Sequence, residues 1–113
     1  GIPPNTRTLN ILIHAWCRCG SLDQAEATLD RMEKAYHSGN YRISANVVTY
    51  TTIMNGYARF QTKEAAESAE KIFERQRIMY EAGNKNAKSN LFTYVTLINS
   101  ITKSGARDAA AKA

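Results

Sequence analysis

Cysteine and histidine are too scarce in this chain to build a metal centre. There are two of each: Cys17 and Cys19, His14 and His37. Zinc sites take four ligands at recognisable spacings. Two cysteines at C-x-C on a helix point in different directions, so no metal or cofactor is expected. Both cysteines read as small buried residues against a neighbouring helix. There is no apolar run of ~18 residues, so no membrane span is expected. There is no glycine-rich phosphate loop, no H-E-x-x-H and no G-x-S-x-G. The carboxylates Asp23, Glu26, Asp30, Glu33 and Glu64, Glu67, Glu70, Glu74 fall at solvated helical spacings, not as an acid/base pair. An enzyme is not expected here. No strand signal appears either; Asn55-Gly56 would suggest a hairpin turn alone, but it sits inside a helical period.

What is present is basic and repetitive. Fifteen Lys and Arg against ten Asp and Glu give a net charge of +5 and a pI near 9.4. That is compatible with a polyanionic partner without defining one. At 113 residues the chain is one small domain at most. It begins at Gly1 and ends inside an expected helix, so it reads as a segment of a longer protein. The absence of a targeting peptide therefore says nothing about localisation.

Three blocks share one pattern: TRTLNILIHAWCR (Thr6–Arg18), VVTYTTIMNGYAR (residues 47–59) and LFTYVTLINSITK (residues 91–103). Asn5, Asn46 and Asn90 precede them, and the starts lie 41 and 44 residues apart. Recurrence at such a period signals stacked repeats. Leu9, Leu12, Ile13 and Trp16 follow i, i+3, i+4, i+7, as do Tyr50, Ile53, Met54, Tyr57 and Tyr94, Leu97, Ile98, Ile101. Each set is expected to form the buried face of an amphipathic helix. In particular, stacking is expected to bury Leu12, Trp16, Ile53, Tyr57, Leu97 and Ile101.

A second stripe repeats beside the first: Asn10, His14, Arg18; Thr51, Asn55, Arg59; Val95, Asn99, Lys103. Four residues turn a helix only about 40° past a full turn, so each set lies on one side. A single cation in a last helical turn complements the macrodipole. Three at equivalent places form a ladder suited to a polyanion.

A second apolar helix follows each block. Gly20 ends the first and Ser21 is expected to cap the next; Leu22, Ala25, Leu29 and Met32 form its buried stripe. In the second unit the stripe is Ala65, Ala69, Ile72, Phe73 and Met79, after a longer inter-helix segment over residues 60–68 that lacks the glycine. In the third, Gly105 is expected to repeat the break. Extra residues are expected in the loops after the second helices, residues 35–46 and 81–90. The fold class is all-α, an α-solenoid of about two and a half stacked antiparallel helix-turn-helix repeats. Residues 1–5 would end an upstream repeat, 6–46 form the first, 47–90 the second and 91–113 a truncated third.

These blocks, with the run TRTLNILIHAWCRCGSLDQAEATLDRME and its Gly-x-Leu-Asp-x-Ala turn (Gly20 to Ala25), resemble the pentatricopeptide repeat family. The alternative is a tetratricopeptide-like scaffold binding a peptide or protein, but its Leu-Gly-x-x-Tyr phrase is missing. The resemblance implies binding of single-stranded RNA, one base per repeat. It implies base readers in the first helix, at Asn10, Thr51 and Val95, and at the closing residues Asn46 and Asn90, with Asn5 closing an upstream repeat. It implies base wedges at Arg7, Val48 and Phe92, and phosphate-facing cations at Arg18, Arg59 and Lys103. In the family a first-helix Asn goes with pyrimidines and Thr with purines. A closing Asn goes with bases that carry an amino group, so the implied core is 5′-(C/U)-A-3′. Val95 lacks a hydrogen-bonding group, so the third base is unassigned. The resemblance further implies organellar RNA processing, in mitochondrion or plastid, with protein partners reached through flanking regions.

Overall fold

In the computed structural model the backbone is described over residues 5–112 and the side chains over residues 5–102. The expected upstream remnant, apart from Asn5, and the Lys103 side chain lie outside the described residues. The chain is all-helical. The order is α1 (Thr6–Arg18), α2 (Leu22–His37), a 3₁₀ turn (Tyr41–Ile43), α3 (Val47–Ala58), α4 (Lys63–Glu81), a second 3₁₀ turn (Lys85–Ala87) and α5 (Leu91–Lys112). Short links fold α1 back on α2 and α3 on α4. The first helices α1, α3 and α5 lie side by side in one layer, with α2 and α4 behind.

Each first helix starts the same way. Asn5, Asn46 and Asn90 accept the backbone N–H three residues on, from Thr8 at 2.8 Å, Thr49 at 3.1 Å and Thr93 at 2.9 Å. These caps satisfy amides that have no partner within the helix. Gly20 ends α1 with φ +79°, and Gln61 takes its place after α3 with φ +54°. The second unit thus makes the same left-handed turn without glycine. Ser21 makes no side-chain cap, whereas Thr62 accepts from the Ala65 N–H at 3.1 Å.

Several expectations need correction. The segment after α3 is short, because α4 already begins at Lys63. Loops 39–46 and 83–90 match residue for residue, and the extra residues of the second unit lengthen α4, which has 19 residues against 16 in α2. These loops are ordered joints rather than slack. Thr6 donates its hydroxyl to the Ser44 carbonyl at 2.7 Å, and buried Asn84 donates to the Ala45 carbonyl at 2.7 Å. Gly105 does not break α5. It is followed by Ala106, not by a capping residue, and then by alanine-rich sequence of the highest helix propensity.

The core joins Leu9, Ile13 and Cys17 of α1 to Leu22, Ala25, Leu29 and Met32 of α2, Tyr50, Ile53 and Met54 of α3, and Ile72 and Met79 of α4. Within α1 the buried stripe is rotated from the expected one. Leu12 is 41% exposed and Trp16 half-buried, because among the described residues α1 packs mainly on α2, α3 and the adjoining loop. Ile53 is buried as expected and Tyr57 half-buried, α3 being enclosed by helices on both sides. Helix α5 has neighbours on one side among the described residues. Leu97 is accordingly half-buried and Ile101 41% exposed.

The second helices are not simply solvated on their polar sides. Arg75 of α4 reaches across to α2, 2.8 Å from Glu33, 3.7 Å from Glu26 and paired with Asp30. The Tyr50 hydroxyl donates to Glu33 at 2.8 Å, and Tyr57 donates to Glu26. Burial raises the Glu26 carboxyl from its ordinary value, with Arg75 pulling against it. On the same helix as Arg75, Gln76 is fully buried, and neither of its amide atoms has a partner among the described residues.

Candidate nucleic-acid interface

The layer of first helices presents a groove, and the second polar stripe of α1 and α3 (Asn10, His14, Arg18; Thr51, Asn55, Arg59) lies along it. Two adjacent hollows open there. The first is lined by Thr6, Arg7, Asn10, Ile11, His14, Asn46, Val48 and Thr52. The second takes in Val48, Thr51, Asn55, Asn90 and Phe92, with Arg18 and Arg59 at its rim. Four sequence positions recur. A side chain early in a first helix, one a turn further on, the cap of the next helix and that helix's own early residue surround each hollow. They are Arg7, Asn10, Asn46 and Val48, then Val48, Thr51, Asn90 and Phe92. Helix periodicity and the caps account for this. Residues three apart share a face, and the cap of one helix comes level with the second turn of its predecessor.

Arg7 is exposed, Val48 is 53% exposed and Phe92 61% exposed. Val48 and Phe92 thereby give the hollows exposed apolar walls. Val48 belongs to both hollows. Val95, 42% exposed, lines neither.

The polar residues are tied together. Asn10 Nδ2 donates to Asn46 Oδ1 at 3.1 Å, and the Thr49 hydroxyl donates to Asn10 Oδ1 at 2.5 Å. Behind the second hollow the Thr51 and Thr93 hydroxyls lie 3.2 Å apart, and Thr93 donates to Asn90 Oδ1 at 3.0 Å. Thr49 and Thr93 were not among the candidate residues. Their signal was the phrase Asn-x-x-Thr at 5–8, 46–49 and 90–93.

Arg18 and Arg59 are exposed and share the second hollow with His14 and Asn55. Among the described residues neither pairs with a carboxylate, whereas Arg75 and Arg77 are both committed to acidic partners. Arg7, Arg18 and Arg59 thus bring basic charge, unpaired by any carboxylate among the described residues, to the lining of the two hollows. Cys17 is buried at the back of the second hollow, where burial pushes its thiol up to about 11. Gly56 permits that approach, since a Cβ there would lie 3.1 Å from the Cys17 sulfur and 2.9 Å from Leu22. Cys19, expected to be buried, is exposed instead, because α1 ends at Arg18 and the chain turns away. Among the described residues no group of three His, Cys, Asp or Glu could hold a metal, and no helix is long and apolar enough to cross a membrane.

A stack of helical hairpins with recurring polar positions along one groove defines a helical-repeat binding protein. Residues 1–33 and 48–61 each match the model of the PPR repeat. A pentatricopeptide repeat-containing protein of Arabidopsis thaliana is 31% identical over 67 residues, 59% of this chain and 11% of that protein. No solved structure matches. The chain belongs to the pentatricopeptide repeat family. Its repeats are of a kind with a general RNA-binding role and, as a rule, no catalysis of their own. The chain spans about a tenth of the length of the curated relative it matches.

Proposed function

We propose that this chain binds single-stranded RNA and reads one base per repeat, as part of a factor for organellar RNA processing or stability in mitochondrion or plastid. One observation carries the reading: two consecutive hollows are lined from the same four sequence positions. A base in the first lies between Arg7 and Val48, against Asn10 and Asn46. The next base lies between Val48 and Phe92, against Thr51 and Asn90. Stacking on such side chains is sequence-tolerant, so the Asn and Thr groups supply the choice. The bound core is 5′-(C/U)-A-3′, and Val95 leaves a third base unselected. Arg18, Arg59 and Lys103 follow the phosphates. Protein partners are engaged through flanking regions, and these repeats perform no chemistry on the RNA.

Stacking on an aromatic side chain supplies ~1–3 kcal/mol per base, and of the three wedges Phe92 alone is aromatic, so two bases give a Kd of about 1 mM or weaker, the equivalent of about −4 kcal/mol at most. Titration of short RNA oligonucleotides by NMR covers that range. The logarithm of the binding constant should fall linearly with the logarithm of salt. Arg59→Gln should lower the slope by about 0.7 and weaken all sequences alike. An unchanged slope would make Arg59 a helix-end cation only. Binding insensitive to salt but dependent on Val48 and Phe92 would point to a peptide groove instead.

A further inference from the structure

Thr49 and Thr93 are fully buried and line neither hollow. Each nevertheless places its hydroxyl between the two polar residues of one hollow. In the first, the Thr49 backbone N–H donates to Asn46 Oδ1 at 3.1 Å. A backbone N–H can only donate, so this contact fixes which end of the Asn46 amide faces the helix. The atom of Asn10 that meets Asn46 Oδ1 at 3.1 Å must then be Nδ2. Asn10 Oδ1 is thereby turned to the Thr49 hydroxyl, 2.5 Å away. That hydroxyl has one proton, and its contact with Asn46 Oδ1 is longer, 3.1 Å. The proton goes to Asn10. The Asn46 backbone N–H closes the circuit on Thr49 Oγ1 at 3.1 Å. One Nδ2 hydrogen of Asn10 and both of Asn46 remain unspent. The first hollow thus offers donors, which suit the adjacent N3 and O2 acceptors of cytosine.

The second hollow runs the same circuit with a different outcome. Asn90 Oδ1 accepts the Thr93 N–H at 2.9 Å and the Thr93 hydroxyl at 3.0 Å. With that proton given to Asn90, Thr93 Oγ1 accepts from Thr51, 3.2 Å away. Thr51 is left with lone pairs and Asn90 with its Nδ2 hydrogens. With Thr51 facing the 6-position of a purine and Asn90 facing N1, this acceptor and donor match the N6 amino group and N1 of adenine and oppose the O6 and N1–H of guanine.

We infer that Thr49 and Thr93, the third residues of their helices, are positioning residues that set the hydrogen-bonding polarity of each base site. The inference rests on the base-reading function proposed above. Loss of either hydroxyl frees the neighbouring reader to turn or to swap donor for acceptor.

The test uses the whole 113-residue chain with Thr49→Val and Thr93→Val, which keep shape and remove the hydroxyl, and the corresponding serine variants, which keep it. Dissociation constants for the RNA dinucleotides 5′-CA-3′, 5′-AA-3′ and 5′-CG-3′ come from NMR shift titrations. Thr49→Val should reduce the preference for C over A at the first base from about fivefold to under about twofold, with the A-over-G preference at the second base unchanged. Thr93→Val should do the reverse, and each serine variant should restore its site. A merely structural threonine would lower the melting temperature and all affinities together with both preferences intact, which would overturn the inference and leave base reading standing. A wild-type chain with no preference at either base would overturn both. Proton exchange in the free wild-type chain supplies a check that needs no variant. The Asn10 side-chain amide should exchange with water more slowly than that of exposed Asn55, and equal rates would overturn the circuit.

Discussion

Asn10 of α1 and Asn46, the cap of α3, are 36 residues apart in sequence and share a 3.1 Å hydrogen bond between their side-chain amides. The cap of one repeat is therefore held against the second turn of the helix that opened it. A cap is ordinarily a local device. Here it also joins two neighbouring repeats, and the resulting pair faces an open hollow. The structural demand for an N-cap and the demand for a polar group in the groove fall on one residue type.

Removing the buried amide of Gln76 should stabilise the fold. Both amide atoms lack partners among the described residues, and an unsatisfied buried polar group costs ~1–3 kcal/mol. Methionine has nearly the same shape and no such demand. Gln76→Met should raise the unfolding free energy by ~1 kcal/mol or more in urea denaturation. A loss of stability would mean that Gln76 finds a partner.

Cys17 and Cys19 should differ sharply in reactivity. Cys17 is buried and its thiol is pushed up to about 11, while Cys19 is exposed. The thiolate is the reactive form. Iodoacetamide at pH 8 should modify Cys19 alone in the native chain and both residues in denaturant, as read by peptide mass spectrometry. Equal labelling of both in the native chain would place α1 in a different register against α3.

Glu26 should leave a pH signature. Burial raises its carboxyl in the folded chain, so folding favours the protonated form. Its stabilising contribution is fully present below the ordinary carboxylate value, ~4.3, and is lost as pH rises through the raised folded value. Glu26→Gln keeps an acceptor for Tyr57 and removes the charge. The variant should be more stable than wild type at pH 7, and the difference should vanish below about pH 4. Thermal melts at both pH values check this, and a less stable variant at pH 7 would show that the Arg75 pairing outweighs burial.

The helices were legible because caps and the 3.6-residue period agree at each block. The period does not say on which side a neighbour packs. For that reason Leu12 and Trp16 were expected inside with Cys17, and of the three only Cys17 is buried. Glu26 and Glu33 read as solvated because their partner Arg75 comes from the next unit, 42 residues beyond Glu33. Asn10 and Asn46 stood out singly by recurrence, but their meeting depends on how the loop at 39–46 returns the chain. Thr49 and Thr93 were hidden by an ordinary capping phrase. Gly105 misled because a glycine ends a helix only where the following residues favour a turn.

The central claim is that each hollow takes one base and that its polar pair chooses it. Thr51→Asn tests it most directly, because it gives the second hollow the pair that the first already holds, Asn with Asn. The first hollow shows that an asparagine fits opposite a capping-box threonine. NMR titration of wild type and variant with 5′-CA-3′ and 5′-CC-3′ measures the choice at the second base. Wild type should prefer 5′-CA-3′. The variant should prefer 5′-CC-3′ by about fivefold, the equivalent of ~1 kcal/mol, with no change at the first base. A variant that still prefers adenine would contradict base reading by Thr51.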